Sequence, residues 1–362
     1  MKIRFVLMAF ALALGLIGAP GAPSALDRRA EPEPASGLGA GHQTSARRFM
    51  IAAANPHAVR AGLAMLRRGG SAVDAAVAAQ MVLNLVEPQS SGIGGGLFLL
   101  HWDAGRNSLV SYDGRETAPM AAKPERFLNP DGTPMKFREA VFGGLSVGVP
   151  GALKALALAH GKHGKLPWAD LFQPAIELAG KGFAVSARLN GLLQRYGPQA
   201  FGPVARAYFF DAVGAPRPVG YILKNPALAE TFRNIALKGP DHFYSGPLAA
   251  KIAAKVQNAP NHRGDMTAGD LNSYRAMERP AVCSPYRGYK VCGMGPPSSG
   301  ALTVNQVLRL LAPFDLGRAP MNISALHLIA EAEKLSYADR GRYMADADFV
   351  KVPKGLLDEA YL

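Results

Sequence analysis

The sequence predicts a mixed α/β protein of the α+β kind, and three observations carry that expectation. Apolar residues recur at helical spacing along the chain, short runs rich in β-branched and aromatic residues separate them, and glycine or proline marks most of the joins. In order, residues 57–68 carry Val59, Leu63 and Leu66 and are closed by Gly69-Gly70. Ser71-Ala72-Val73-Asp74 reads as a capping box that opens an alanine-rich helix to Val86, so the two helices form a hairpin. Ala72, Ala75, Ala76, Ala78 and Ala79 leave little side chain on the second helix, which suits it to close packing on more than one side. Glu87-Pro88 ends it.

A glycine cluster follows, Gly92-Ile93-Gly94-Gly95-Gly96. It allows close backbone approach and positive φ angles, so a strand over 97–102 is expected to lie buried behind the turn. Asp103-Ala104-Gly105 reverses the chain into a second strand over 108–112, which delivers Asp113-Gly114-Arg115 at its end. A guanidinium set there is well suited to hold a planar carboxylate by two parallel hydrogen bonds. Further helices are expected over 152–160, 168–179, 187–195, 226–235, 248–257, 302–311 and 323–344. In the last, Glu331, Glu333 and Lys334 read as a solvated face.

The amino terminus has the layout of a secretory signal peptide, assigned to residues 1–25. Lys2 and Arg4 precede an apolar run over 5–17, and small residues follow. That run is shorter than the ~20 residues needed to span a bilayer, so no stable membrane anchor is expected and the mature protein is read as exported, periplasmic or secreted. Residues 26–48 read as a flexible lead-in and 49–362 as the folded domain. With 49% hydrophobic and 19% charged residues the chain has ample material for a large core. The formal charge of +13 favours anionic small molecules or acidic surfaces. Nucleic acid is not the expected partner, because the basic residues are scattered and not interleaved with aromatics.

Two motifs mislead. Gly144-Leu145-Ser146-Val147-Gly148 matches the Gly-x-Ser-x-Gly word of serine hydrolases, yet Val149-Pro150-Gly151 delays the helix that should begin at the serine. The glycine cluster is no dinucleotide fingerprint, because Leu97 takes the third glycine position and a strand follows where a helix should start. No His-Glu-x-x-His, zinc-spaced Cys/His set or Walker lysine is present, so neither metal nor cofactor is expected.

Cys283 and Cys292 flank Arg287-Gly288, and a two-residue turn there would set them opposite one another at a non-hydrogen-bonded position, with Pro285 at another. Two readings stand: a disulfide, compatible with export, or two small buried strand residues. The loop Met294-Gly295-Pro296-Pro297-Ser298-Ser299-Gly300 comes next, where Ser298 or Ser299 can cap the following helix.

Taken together, Val86 to Gly96, Asp113 to Pro119, Gly148-Val149-Pro150-Gly151, Gly164-Lys165-Leu166-Pro167-Trp168, Tyr286-Arg287-Gly288-Tyr289, Met294 to Gly300, Ala330-Glu331-Ala332-Glu333-Lys334 and Tyr337-Ala338-Asp339-Arg340 resemble, in that order, the large-subunit part of the γ-glutamyltransferase (glutathione hydrolase) family. The resemblance implies half of a four-layer αββα N-terminal-nucleophile hydrolase. It implies that Arg115 clamps the α-carboxylate of a γ-glutamyl donor such as glutathione, and that Ser298 and Ser299 border the cleft. Water or an amino-acid or peptide acceptor would take the γ-glutamyl group. The nucleophile implied is the amino-terminal threonine of a small subunit cut from the same precursor, expected beyond residue 362, which leaves no catalytic residue in this chain. Two other readings are a cephalosporin acylase-like amidase of the same superfamily, in which Arg115 would hold an acyl side-chain carboxylate, and a non-catalytic remnant that binds γ-glutamyl compounds. The rival role for Arg115 itself is a structural ion pair with Asp113, Glu116 or another carboxylate.

Overall fold

Capping chemistry sets the first two helices in the computed structural model, which describes residues 43–319 and 322–362. The signal-peptide expectation therefore lies outside the described residues. Asn55 accepts the backbone N–H of His57 at 3.0 Å and Pro56 fills the first turn of α1 (Pro56–Arg67). The capping box of α2 (Ala72–Val86) forms as the sequence suggests, Asp74 N–H donating to Ser71 Oγ at 3.1 Å and Ser71 N–H to Asp74 Oδ2 at 2.7 Å. Asp74 does more than cap. It is fully buried, and its Oδ2 also accepts the N–H groups of Lys165 and Leu166, which locks a distant turn onto this helix start.

The glycine cluster then leads into β1 (Leu97–Asp103), which pairs antiparallel with β2 (Ser108–Gly114) in the register Leu97↔Gly114 to Asp103↔Ser108. Two expectations are corrected here. None of Gly92, Gly94, Gly95 and Gly96 has a positive φ. The glycines serve close approach instead: a Cβ on Gly96 would lie 2.7 Å from the carbonyl oxygen of Gly114 and would also meet the Glu116 side chain. Nor is β1 buried, for Leu100 and Trp102 on one face are 41% and 54% exposed. Only the other face, with Leu97 and Leu99, packs on the core, because β1 is an edge strand with helices on one side.

After a short helix α3 (Phe137–Val141), α4 (Ala152–His163) lies under β1 and β2. Its first two N–H groups, from Gly151 and Ala152, both reach the Gly95 carbonyl at 3.0 Å, so the glycine loop satisfies donors that the helix start would otherwise leave open. The helix expected over 168–179 is split into a 3-10 turn, Trp168–Phe172, and α5 (Gln173–Lys181), with Pro174 in the first turn of the second piece. Next come β3 (Phe183–Ala184), α6 (Ala187–Tyr196), α7 (Pro203–Phe209), β4 (Ile222–Leu223), α8 (Pro226–Lys238), α9 (Asp241–Tyr244), α10 (Gly246–Gln257) and α11 (Ala268–Ser273). The chain returns to the sheet as β5 (Met277–Arg279), which pairs with β2 and gives the order β1-β2-β5. Tyr112, Leu153, Phe172 and Phe232 are among the fully buried side chains of the core between sheet and helices.

A two-residue turn with Arg287 at φ +47° and Gly288 at φ +84° joins β6 (Val282–Tyr286) to β7 (Tyr289–Gly293), the backbone that hairpin twist demands. The register sets Cys283 opposite Cys292, with Cα atoms 4.1 Å and Sγ atoms 2.13 Å apart, a disulfide. Two last helices, α12 (Gly300–Leu311) and α13 (Ile323–Tyr343), pack on each other beside this hairpin.

Candidate functional site

The end of β2 is held from three directions, and Arg115 follows directly. Gly114 lies so close to α4 that an added Cβ would stand 2.5 Å from the Ala155 Cβ and 2.9 Å from the Gly151 carbonyl. Arg115 N–H donates to Asp113 Oδ1 at 3.0 Å, and its carbonyl accepts the Tyr274 hydroxyl at 2.7 Å. Burial first, then the nearby carboxylates of Asp113 and Glu116, push the Tyr274 phenol well above its usual value, so it stays a neutral donor. The other oxygen of buried Asp113 accepts Arg279 Nε at 2.7 Å, and Arg279 grips Asp348 with its two remaining nitrogens at 3.0 and 2.6 Å. Its hydrogen bonds to Asp348 raise the Arg279 pKa, burial works against this, and Asp113 adds to the rise.

That network decides what the Arg115 side chain is free to do. Asp113 is committed to Arg279, and the Glu116 side chain lies back against Gly95 and Gly96. Among the described residues no carboxylate pairs with the Arg115 guanidinium, which is exposed. It lines a cavity of about 190 Å3 together with Pro297, Ser298, Ser299, Arg340 and Met344. The structure thus brings Arg115, Ser298 and Ser299 to one place, while Cys283 and Cys292 lie in the neighbouring hairpin outside the cavity lining.

Of the two serines either of which was expected to cap α12, Ser298 reaches its first N–H and Ser299 does not. The Ser299 backbone is helical, at φ −81° and ψ −10°, so its hydroxyl does not reach the helix N–H groups and makes no cap bond. It accepts instead from Arg340 Nε at 2.9 Å, whereas Ser298 Oγ accepts Gly300 N–H at 3.1 Å. Arg340 is the site residue that reading the sequence left among the motif words. A signal was present: Ala332 and Ser336 are buried on α13, and Arg340 continues their four-residue spacing toward the cleft. Glu331 and Lys334 do form an exposed ion pair at 2.6 Å, as a solvated face should.

Elsewhere, the Ser146 hydroxyl donates to the Val141 carbonyl at 2.7 Å, and α4 starts only after Val149 has bridged to Thr117, so no nucleophile elbow exists there. A larger cavity of about 510 Å3 between α3 and α6, walled by Phe137, Phe142, Arg195 and Tyr196, shares no lining residue with the Arg115 cavity. No grouping of three or more His, Cys, Asp or Glu that could hold a metal occurs among the described residues. No helix among them is long and apolar enough to cross a membrane.

The chain is similar to known proteins over most of its length. The family model described as Gamma-glutamyltranspeptidase matches residues 58–362. The glutathione hydrolase proenzyme of Bacillus subtilis (strain 168) is 39% identical over 315 residues, covering 86% of this chain and 53% of that protein. The acylase ACY 1 proenzyme of Pseudomonas sp. (strain SE83) is 36% identical over 348 residues, covering 94% and 60%. Among solved structures, the Helicobacter pylori gamma-glutamyltranspeptidase superposes with a TM-score of 0.83 at 33% identity, covering 88% of this chain and 91% of that one. The chain spans about half the length of the curated relatives it matches.

Proposed function

This chain belongs to the gamma-glutamyltranspeptidase family, and from that premise we propose that it supplies the donor-binding half of a γ-glutamyl transferase or glutathione hydrolase. The observation that carries the reading is the Arg115 guanidinium, unpaired among the described residues, fixed by its backbone at a locked strand end and facing a small cavity. Such a fork holds the α-carboxylate of a γ-glutamyl donor by two parallel bonds and thereby sets the γ-carbonyl in one place for attack. The nucleophile in this proposal is the amino-terminal threonine of a small subunit released from the same precursor, encoded past residue 362, with its own amine as base. The γ-carbonyl C–N bond breaks, the leaving amine takes the threonine proton, and water or an amino-acid or peptide acceptor then resolves the ester. The acyl group moves between nitrogen and oxygen with no change of oxidation state, so the scheme calls on no redox cofactor, and the threonine with its own amine supplies both nucleophile and base. Ser298 and Ser299 border the cleft, and export of the protein accords with a Cys283–Cys292 disulfide.

The 36% identity to an acylase proenzyme favours one second reading, an amidase whose substrate presents an acyl side-chain carboxylate to Arg115. Arg115→Lys, assembled with the nucleophile-bearing subunit, tests the first. A lysine keeps the charge but loses the fork, so kcat/KM on γ-glutamyl-p-nitroanilide should fall by the equivalent of at least ~2 kcal/mol. Wild-type kinetics in that variant would remove the role, and turnover of glutaryl amides in preference to γ-glutamyl ones would favour the acylase.

A further inference from the structure

The cavity that holds Arg115 holds a second guanidinium. Arg340 rises from the last turns of α13, and its Nε donates to Ser299 Oγ at 2.9 Å while the group packs 5.6 Å from the Tyr337 ring centroid. Those contacts steady the stem and leave the terminal nitrogens without a hydrogen-bond partner among the described residues. Among the described residues no carboxylate pairs with either arginine. Asp339, next in sequence, is committed to Gln306 at 2.7 Å and Tyr361 at 2.8 Å, Asp113 is committed to Arg279, and no acidic side chain lines the cavity. Two like charges lining about 190 Å3 repel until something anionic enters, and a ligand with a single carboxylate would pair with only one of them.

We infer that Arg340 is a specificity-determining residue that takes a second carboxylate, so that the site selects γ-glutamyl peptides ending in a free carboxylate over γ-glutamyl amides that lack one. The inference rests on the proposed role of Arg115 as the clamp for the first. Arg115 follows the end of β2 and Arg340 lies on α13, so the two forks approach the ligand from different elements and can engage opposite ends of a short dicarboxylate.

The test compares γ-Glu-Cys-Gly with the same peptide amidated at its glycine carboxyl, in the enzyme assembled from this chain and the nucleophile-bearing subunit. The wild type should turn over the free acid with kcat/KM about fivefold above the amide, the size of one partly solvated ion pair. In Arg340→Gln the ratio should fall to about one, and Arg340→Lys should recover part of it because the point charge remains. Equal rates for the two peptides in the wild type overturn the inference. So does an Arg340→Gln enzyme that loses both peptides equally, since the two guanidiniums would then share one carboxylate. Failure of the Arg115 reading has a different signature: Arg115→Lys would leave both peptides unaffected, or neither would turn over in the wild type.

Discussion

Replacing Arg279 by methionine should separate the locked strand end from the rest of the fold. The Arg279 side chain is 16% exposed and its partner Asp113 7% exposed, whereas Asp348 at the other end of the fork is 54% exposed. Methionine keeps most of the aliphatic packing but leaves the Asp113 carboxylate buried beside apolar groups without its cation. Breaking a buried pair from one side costs about 3–5 kcal/mol, and the slight exposure of Arg279 lowers that to about 2–4 kcal/mol here. The Asp348 arm is solvated and contributes about 0–1 kcal/mol, so Asp348→Asn should be mild. Urea unfolding of the three proteins, read by fluorescence and circular dichroism at neutral pH, gives the comparison directly. Asp113→Asn combined with Arg279→Met should be more stable than Arg279→Met alone, because the stranded charge is gone while an amide oxygen still accepts the Arg115 N–H. Arg279→Met no more destabilising than Asp348→Asn would refute the reasoning, since the pair would then be a surface contact and Asp113 no anchor.

Three further outcomes follow from the same structure. Burial opposes ionisation of Asp270, but the Met120 N–H together with the Thr267 N–H and hydroxyl outweigh it and hold the carboxyl below its ordinary 3.8. A lowered folded value means that its contribution is complete above that ordinary value and lost as pH falls through the folded one. Asp270→Asn should therefore cost about 1–2 kcal/mol at pH 7 and progressively less as pH falls below 3.8, and a cost that does not change with pH would exclude the carboxylate. Alanine at Gly96 would press its methyl against the Gly114 carbonyl, which should cost about 1–3 kcal/mol in thermal unfolding; an unchanged melting temperature would show that the loop relaxes freely. The Cys283–Cys292 bridge closes a short loop worth about 2–3 kcal/mol by chain entropy, so reduction should lower the urea midpoint, and two free thiols in unreduced, denatured protein would rule the bridge out.

Local chemistry written in adjacent residues was legible before any coordinates: the Ser71/Asp74 capping box, the Arg287-Gly288 turn that opposes the two cysteines, and the delivery of Arg115 at a strand end. Each depends on neighbours within a few residues or on a register that a short turn imposes, and backbone stereochemistry enforces such relations wherever they occur. The glycine loop shows where this kind of reading stops. Glycine signals either unusual φ or close approach, and only the packing of Gly96 on Gly114 and of the Gly95 carbonyl on α4 chose the second. Tertiary structure alone decided that Asp113 belongs to Arg279 and so leaves Arg115 uncommitted. It alone chose between the two serines, leaving Ser298 on the helix N–H and Ser299 on Arg340, and set that second cation in the same cavity. A charge's partner is settled by which elements the core brings within a few ångströms, and no spacing along the chain encodes that distance.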